Sequence, residues 1–354
     1  MYLHALQTVV PDHSLTQEEL WNLIQNLPQV VQLRDGSRQL LERVLRRSSG
    51  IRKRHFASGA IPELFAEGAE GLNRRFEEHG PALASRALDA ACQQAGLNPQ
   101  DLDACILCTC TGYLCPGLSS YVAEKAGCRP DCELIDLVGL GCGAAIPMLR
   151  QAEAMIGAYS TKTVACLAVE ICSDAFFLSD DAGVLISAAL FSDGAAATIW
   201  GGTAKPFANG HAVRAHEFRC LHVPGEREKL RFRNDGGKLR NLLHPAVPQV
   251  AAQGVESLVP PGCVAGADML LVHPGGPKVL EAIGLRYPGQ SLEVSRAVLR
   301  EFGNMSSPSI LFCLQQALDR HPETSCWQLC SFGAGFSAHA CRVTLEDAGV
   351  VSAE

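Results

Sequence analysis

The segment Cys132-Glu-Leu-Ile-Asp-Leu-Val-Gly-Leu-Gly-Cys-Gly-Ala-Ala-Ile-Pro-Met-Leu149 decides the fold, because its periodicity changes in the middle. Cys132–Asp136 reads as a strand. Gly139-Leu-Gly-Cys-Gly143 then opens a helix over Ala144–Ala158, since closely spaced glycines break the strand and permit a sharp turn. Downstream, Thr163–Glu170 is a near-continuous apolar strand, of the kind found in sheets covered on both faces. Upstream, Leu83, Ala87, Ala91 and Ala95 recur every fourth residue, and Gly96 marks the end of that helix. Ala104–Cys110 is another strand, followed by the loop Thr111-Gly-Tyr-Leu-Cys-Pro-Gly117 and a helix over Ser119–Ala126. Strands alternating with helices predict a layered α/β protein.

The same grammar returns beyond Phe191-Ser-Asp-Gly194 and the strand Ala195–Trp200. Composition shifts to Gly, Pro and Asn between Gly201 and Gly210, which places a boundary there and predicts halves of 1–205 and 206–354. In the second half Ala267–Val272 is a strand that runs into His273-Pro-Gly-Gly-Pro277 and a helix over Lys278–Ile283. A helix over Ser309–Arg320, a strand over Cys326–Phe332, the Gly333-Ala-Gly335 turn and a strand over Cys341–Leu345 close the chain. Two copies of one βα unit are the economical reading.

Composition narrows the function. The 354 residues are 47% hydrophobic and 19% charged, with a formal net charge of -7 and no long basic run, which argues against nucleic-acid binding. The longest apolar stretch, Leu137–Leu149, is too short to cross a bilayer and is broken by Gly139, Gly141, Gly143 and Pro147. The N-terminal residues lack the basic and small-residue features of a secretory signal, so a cytoplasmic protein with reduced thiols is expected. Cys105, Cys108, Cys110 and Cys115 lack the paired knuckles of a zinc site, and no metal is expected.

Three polar residues sit where chemistry is done. Cys142 lies between glycines at a helix start, where the helix dipole favours a thiolate and its amide can face an oxyanion; a buried structural cysteine fits the same place. His273 ends an apolar strand and enters a Pro/Gly loop that presents a side chain, or satisfies one. Asn304, in Phe302-Gly-Asn-Met-Ser-Ser-Pro308, precedes a helix capped by Ser307 with Pro308 at its first position, and its amide is either a turn former or a neutral donor for an enolate oxygen. Gly333-Ala-Gly335 and Asp235-Gly-Gly-Lys238 read as turns and not as phosphate loops. Arg46, Arg47, Arg52, Lys53 and Arg54 form a basic patch, solvated or facing the phosphates of a nucleotide-bearing substrate.

Taken together, Gly141-Cys-Gly-Ala-Ala145, His273-Pro-Gly-Gly-Pro277, Gly303-Asn-Met-Ser-Ser307 and Leu190-Phe-Ser-Asp-Gly-Ala-Ala-Ala197 resemble, in order, the signatures of the type III polyketide synthases, the chalcone and stilbene synthase family of the thiolase superfamily. The resemblance implies a five-layered αβαβα thiolase-like fold of two pseudo-duplicated halves and a homodimer, with the Thr111–Pro116 loop near the subunit contact. It implies acyl-CoA and malonyl-CoA as substrates, no further cofactor, and iterative decarboxylative condensation without a carrier protein. Cys142 would take the acyl starter, His273 would stabilise its thiolate as an ion pair, and Asn304 with His273 would polarise the malonyl thioester. Phe191 would border the site; Cys110, Cys115 and Gly335 would line it; Arg43, Arg46 and Arg47 would meet the CoA phosphates.

The chain also departs from the family. Ala334 replaces the proline of a Gly-Phe-Gly-Pro-Gly signature, and Asn241 or Leu242 falls near the second gatekeeper phenylalanine of plant enzymes. Small residues at Cys110 and Cys115 then predict an open tunnel, a medium- or long-chain acyl starter and an alkylpyrone or alkylresorcinol product. The alternatives are a small-starter or malonyl-only synthase, an initiating β-ketoacyl-carrier-protein synthase, whose His-Gln-Ala-Asn phrase is absent here, and a thiolase-like scaffold.

Overall fold

The computed structural model describes residues 1–66, 68–159, 162–207, 210–264, 269–321 and 324–347. Its strands are β1 (Tyr2–Val9), β2 (His13–Thr16), β3 (Lys53–Phe56), β4 (Ala104–Thr109), β5 (Glu133–Val138), β6 (Val164–Glu170), β7 (Gly194–Gly201), β8 (His211–His222), β9 (Leu230–Asp235), β10 (Lys238–Leu243), β11 (Met269–Val272), β12 (Cys326–Gly333) and β13 (Ser337–Asp347). Nine of them form one sheet in the order β11-β12-β13-β8-β1-β7-β6-β4-β5. The pairing repeats itself about the β1–β8 seam. On one side β1–β7 and β7–β6 are antiparallel and β6–β4 parallel; on the other β8–β13 and β13–β12 are antiparallel and β12–β11 parallel. The duplication expected from the recurring βα grammar is thus written in the strand order.

Alternation along each strand builds the layers. In β6, Val164, Cys166 and Ala168 point to a central core, while Ala165, Leu167 and Val169 join an outer one. The central core holds the helices Ala145–Ala158 and Ser309–Arg320 between the two halves of the sheet. The long helix Ala69–Ala95 covers one outer face, and Val247–Leu258 with Pro277–Arg286 covers the other. The result is the αβαβα order. Burial of every residue of β4, β6, β7 and β12 explains why those strands read as unbroken apolar runs.

Several boundaries differ from the sequence expectation for identifiable reasons. The long helix begins well before Leu83, because its earlier buried face includes Arg75, which pairs with Asp174 and masks the apolar period. Cys142 lies in a 3-10 turn, Gly141–Gly143, that precedes the helix proper at Ala145. β11 starts at Met269; the expected start, Ala267, lies outside the described residues. The Ser309–Arg320 helix carries no Ser307 cap, since the Ser307 hydroxyl donates instead to Glu170.

Candidate functional site

The parallel strands β4 and β6 and the strand β11 each end at one region, and the turn holding Cys142 is pressed against it. Glycine is required in that turn: Gly141 has φ of +60°, and a Cβ on Gly143 would lie 3.0 Å from His339 Cδ2 and 3.2 Å from Gly333 N. Ser331 Oγ donates to the Gly143 carbonyl at 3.0 Å and ties the turn to β12. The Cys142 sulfur is 3.3 Å from Ser306 Oγ, which is 3.2 Å from Glu170 Oε1. Ser306 Oγ has one hydrogen, which it donates to the Cys142 sulfur or to Glu170. Burial pushes the Cys142 thiol up to about 12, opposed by Ser306.

Glu170 was not singled out from sequence. It is a charged residue closing an otherwise apolar strand, and that single break was its signal. It is fully buried, and its oxygens accept from Thr109 Oγ1, Cys110 N, Cys110 Sγ, Ser306 Oγ and Ser307 Oγ at 2.7–3.3 Å. Burial holds its pKa above the usual carboxylate range, while the hydrogen bonds from Ser307 and Cys110 pull it down. Ser306 is held beneath Cys142 in a left-handed conformation, φ 58°, by a bond from its amide to Asn304 Oδ1 at 2.8 Å.

His273 and Asn304 come together across one carbonyl. Asn304 Nδ2 donates to the Gly275 carbonyl at 3.2 Å, and the Gly275 amide bonds the His273 carbonyl at 2.9 Å. The second Nδ2 hydrogen of Asn304 has no partner among the described residues. The His273 ring packs edge-on against Phe332, its Nδ1 is unpartnered, and burial alone drives its pKa down to about 3. Among the described residues no hydrogen bond joins His273 to Cys142. Burial thus favours the neutral forms of both the imidazole and the thiol, and works against the thiolate–imidazolium pair that the family resemblance implies.

Phe191 is bridged to Asn304: Asn304 N donates to the Leu190 carbonyl at 3.0 Å and Ser192 N to the Asn304 carbonyl at 2.9 Å. Phe191, Cys110, Ser306, Cys172 and Thr111 line a cavity of about 40 Å³ together with Phe176, Phe232 and Leu239. The hairpin β9–β10 supplies Phe232 and Leu239. Asn241, by contrast, is buried with Nδ2 on Ser187 Oγ at 2.8 Å, and neither it nor Leu242 lines the cavity.

Other sequence candidates fall elsewhere. Cys115 is exposed and lines a separate surface hollow with Tyr113 and Val138, because the Thr111–Pro116 loop turns outward after β4. Gly335 bonds the Leu230 carbonyl through its amide at 3.2 Å, and it is Gly333, not Gly335, that packs on the Cys142 turn. Arg43, Arg46 and Arg47 are exposed together, yet Arg46 is engaged by Glu18 and Glu42, both at 2.9 Å. Arg54 does not belong to the surface patch at all: it is fully buried.

A glycine-bound cysteine at a helix entry, with His and Asn donors on the opposing half of a duplicated αβαβα sheet, defines a condensing acyltransferase of the thiolase type. The comparisons carry this to a family. Residues 3–219 match the family model described as FAE1/Type III polyketide synthase-like protein, and residues 239–345 match that of the chalcone and stilbene synthases, C-terminal domain. The chain is 32% identical over 351 residues to a 1,3,6,8-tetrahydroxynaphthalene synthase of Streptomyces peucetius subsp. caesius, covering 94% of this chain and 90% of the relative. A 3,5-dihydroxyphenylacetyl-CoA synthase of Streptomyces toyocaensis is 29% identical over 67% of this chain and 64% of its own length. The solved 1,3,6,8-tetrahydroxynaphthalene synthase of Streptomyces coelicolor A3(2) superposes with a TM-score of 0.81 at 25% identity, covering 98% and 99% of the two chains. The chain belongs to the type III polyketide synthase family, and it is an enzyme of decarboxylating acyl condensation.

Proposed function

We propose that this synthase condenses malonyl-CoA units onto a small starter, malonyl or acetyl, to give a short aromatic polyketide. The observation that carries the reading is the bulky wall, Phe176, Phe191, Phe232 and Leu239, of the cavity lined by Ser306, whose hydroxyl lies 3.3 Å from the Cys142 sulfur. Bulky side chains on that wall crowd an extended alkyl tail where small residues would admit it. The medium- or long-chain starter rested on Cys110 and Cys115 widening the wall, and only Cys110 reaches it. Relatives named for tetrahydroxynaphthalene and dihydroxyphenylacetyl-CoA are consistent with this, since oxygens on alternate carbons and no alkyl chain are the pattern of a folded poly-β-ketone.

In this reading Cys142 attacks the starter thioester, and its proton leaves along Ser306 toward Glu170 or to His273 as CoA departs. The free Asn304 Nδ2 hydrogen and a His273 N–H then face the malonyl thioester oxygen. Loss of CO2 puts charge on that oxygen, which two neutral, preorganised donors in a dry site stabilise. The resulting enolate attacks the Cys142 thioester and returns the thiol. Arg43, Arg46 and Arg47, all exposed, would meet the CoA phosphates in this reading, which calls for no other cofactor.

The second copy belongs at β5. This strand ends the sheet with Leu134 and Val138 exposed, and Tyr113 stands beside it, exposed on the same face. An uncovered apolar edge calls for pairing, and self-pairing about a two-fold axis satisfies it. Incubation with malonyl-CoA alone tests the central reading. Release of CO2 and of a polyhydroxylated aromatic is expected, with label from malonyl-CoA on Cys142 by peptide mass spectrometry; a requirement for carrier protein or for octanoyl-CoA refutes it.

A further inference from the structure

Arg54 is a full charge in the interior, and no carboxylate is hydrogen-bonded to it among the described residues. Its Nε donates to Gln17 Oε1 at 2.9 Å and its Nη1 to the carbonyls of Ala188 at 2.8 Å and Phe191 at 2.6 Å. The guanidinium lies 5.2 Å from the centre of the Phe56 ring, and Nη2 has no partner. Burial brings its pKa down to about 9, against the pull of Asp193. So costly an arrangement needs a reason beyond filling space, because an apolar side chain of similar volume would do that better.

The reason lies at the two ends of the hydrogen bonds. At one end is the Phe191 carbonyl. Phe191 and Asn304 form a single bridged unit, and that unit is also held to β3 by His55 N on Ser192 Oγ at 2.8 Å and Asp193 N on the His55 carbonyl at 3.0 Å. Gly303, beside Asn304, lies flat on the Arg54 stem: a Cβ there would come within 2.9 Å of Arg54 Cγ. At the other end is Gln17. Its Nε2 donates to Ser49 Oγ at 3.2 Å and to the Ala189 carbonyl at 2.9 Å. Ser49 directly follows the π-helical turn Val44–Ser48, the turn that displays Arg46 and Arg47. A continuous buried chain, Ser49–Gln17–Arg54–Phe191, joins the arginine-bearing turn to the wall of the reaction cavity.

We propose that Arg54, seated by Gln17, is a positioning residue that sets Phe191 and Asn304, and that through Ser49 it couples nucleotide binding at the 44–48 turn to the closing of the Phe191 wall. The proposal rests on the CoA-thioester reading given above. Arg54 touches no reacting atom. Its effect therefore falls on kcat and on discrimination between thioester carriers, with little effect on KM.

The test measures CO2 release from malonyl-CoA and from malonyl-pantetheine, which lacks the nucleotide, in wild type, Arg54→Met, Arg54→Lys and Gln17→Leu. Active sites are counted by alkylation of Cys142. In Arg54→Met a misplaced wall and donor should lower kcat per active site roughly 10- to 100-fold with KM nearly unchanged. Arg54→Lys keeps the charge and loses the fork, so it should fold and still fall short of wild type. Gln17→Leu cuts the link to Ser49 while leaving Arg54 on Phe191; it should abolish the kcat advantage of the CoA ester over the pantetheine ester. Wild-type kcat per site in both Arg54 variants would overturn the positioning role, and an undiminished CoA advantage in Gln17→Leu would overturn the coupling. Failure of the wild type to release CO2 from either ester would instead refute the underlying reading.

Discussion

Replacing Phe232 by Ala should convert a short-starter enzyme into one that accepts longer chains. Phe232 stands on β9, half-buried, and lines the cavity with Phe191 and Phe176, so its removal widens the cavity without touching Cys142. In the wild type each added methylene meets the aromatic wall; forcing an extra methylene into a packed site costs about 1–3 kcal/mol. In Phe232→Ala the same methylene gains about 0.8 kcal/mol on burial. Hexanoyl exceeds acetyl by four methylenes, so the variant should favour hexanoyl by about 3 kcal/mol, roughly two orders of magnitude in kcat/KM. The assay is release of free CoA in the presence of malonyl-CoA, across acetyl, butyryl, hexanoyl and octanoyl starters. Because the ring is only half-buried, the stability loss should stay below the roughly 3–5 kcal/mol of a fully buried Phe→Ala change. A wild type that prefers octanoyl to acetyl, or a variant whose length profile matches the wild type, would refute the argument.

Three further outcomes are expected. Asn304→Ala should slow CO2 release from malonyl-CoA roughly 10²- to 10³-fold, the loss typical of one preorganised donor, and a wild-type rate in this variant would remove Asn304 from the step. His339, buried and neutral with its pKa driven down to about 4, makes the unfolded state the better proton binder between about pH 6.5 and 4. Stability from that site is therefore lost as pH falls. The gap between wild type and His339→Gln in urea unfolding should shrink by about 1.4 kcal/mol per pH unit across that window, and a constant gap would show the imidazole to be exposed or charged. Finally, light scattering should give twice 37.8 kDa for the wild type and the single mass for Val138→Asp, which plants a charge on the uncovered edge of β5; a monomeric wild type would contradict the pairing.

Much of the fold was legible because its signals are local. Unbroken apolar runs marked β4, β6, β7 and β12, and glycines fixed the C-terminal end of the Ala69–Ala95 helix and the entry to the Ala145–Ala158 helix. What stayed hidden depended on distant partners. Arg75 looked like a surface residue until Asp174, nearly a hundred positions away, neutralised it, and so the first turns of its helix were missed. Ser307 had the position of a helix cap, but a buried carboxylate outbid the helix amides for its hydroxyl. Local propensity is weak against one strong tertiary hydrogen bond.

The site divides along the same line. Cys142, His273, Phe191 and Asn304 announce themselves because each needs a special backbone setting, a glycine pair, a strand end or a turn, and such settings leave marks in the neighbouring residues. Ser306, Gln17 and Arg54 leave none, and Glu170 only a break in an apolar strand, since their settings are made by residues from other elements: Glu170 by the β4 end and the Ser306–Ser307 turn, Arg54 by Gln17 and the Phe191 carbonyl. Arg54 was read as part of a surface patch for a physical reason. In β3 neighbouring side chains such as Lys53 and Arg54 go to opposite faces, but only the fold says which face is inside. Arg52 precedes the strand and pairs with Glu301 at the surface, Lys53 is half-buried, and Arg54 donates to the Phe191 carbonyl from the interior. A basic run on a strand is therefore two features superposed. The outward one can serve binding, and the inward one must have acquired hydrogen-bonding partners that make its burial tolerable. Here those partners are the main chain of the very segment that borders the nucleophile.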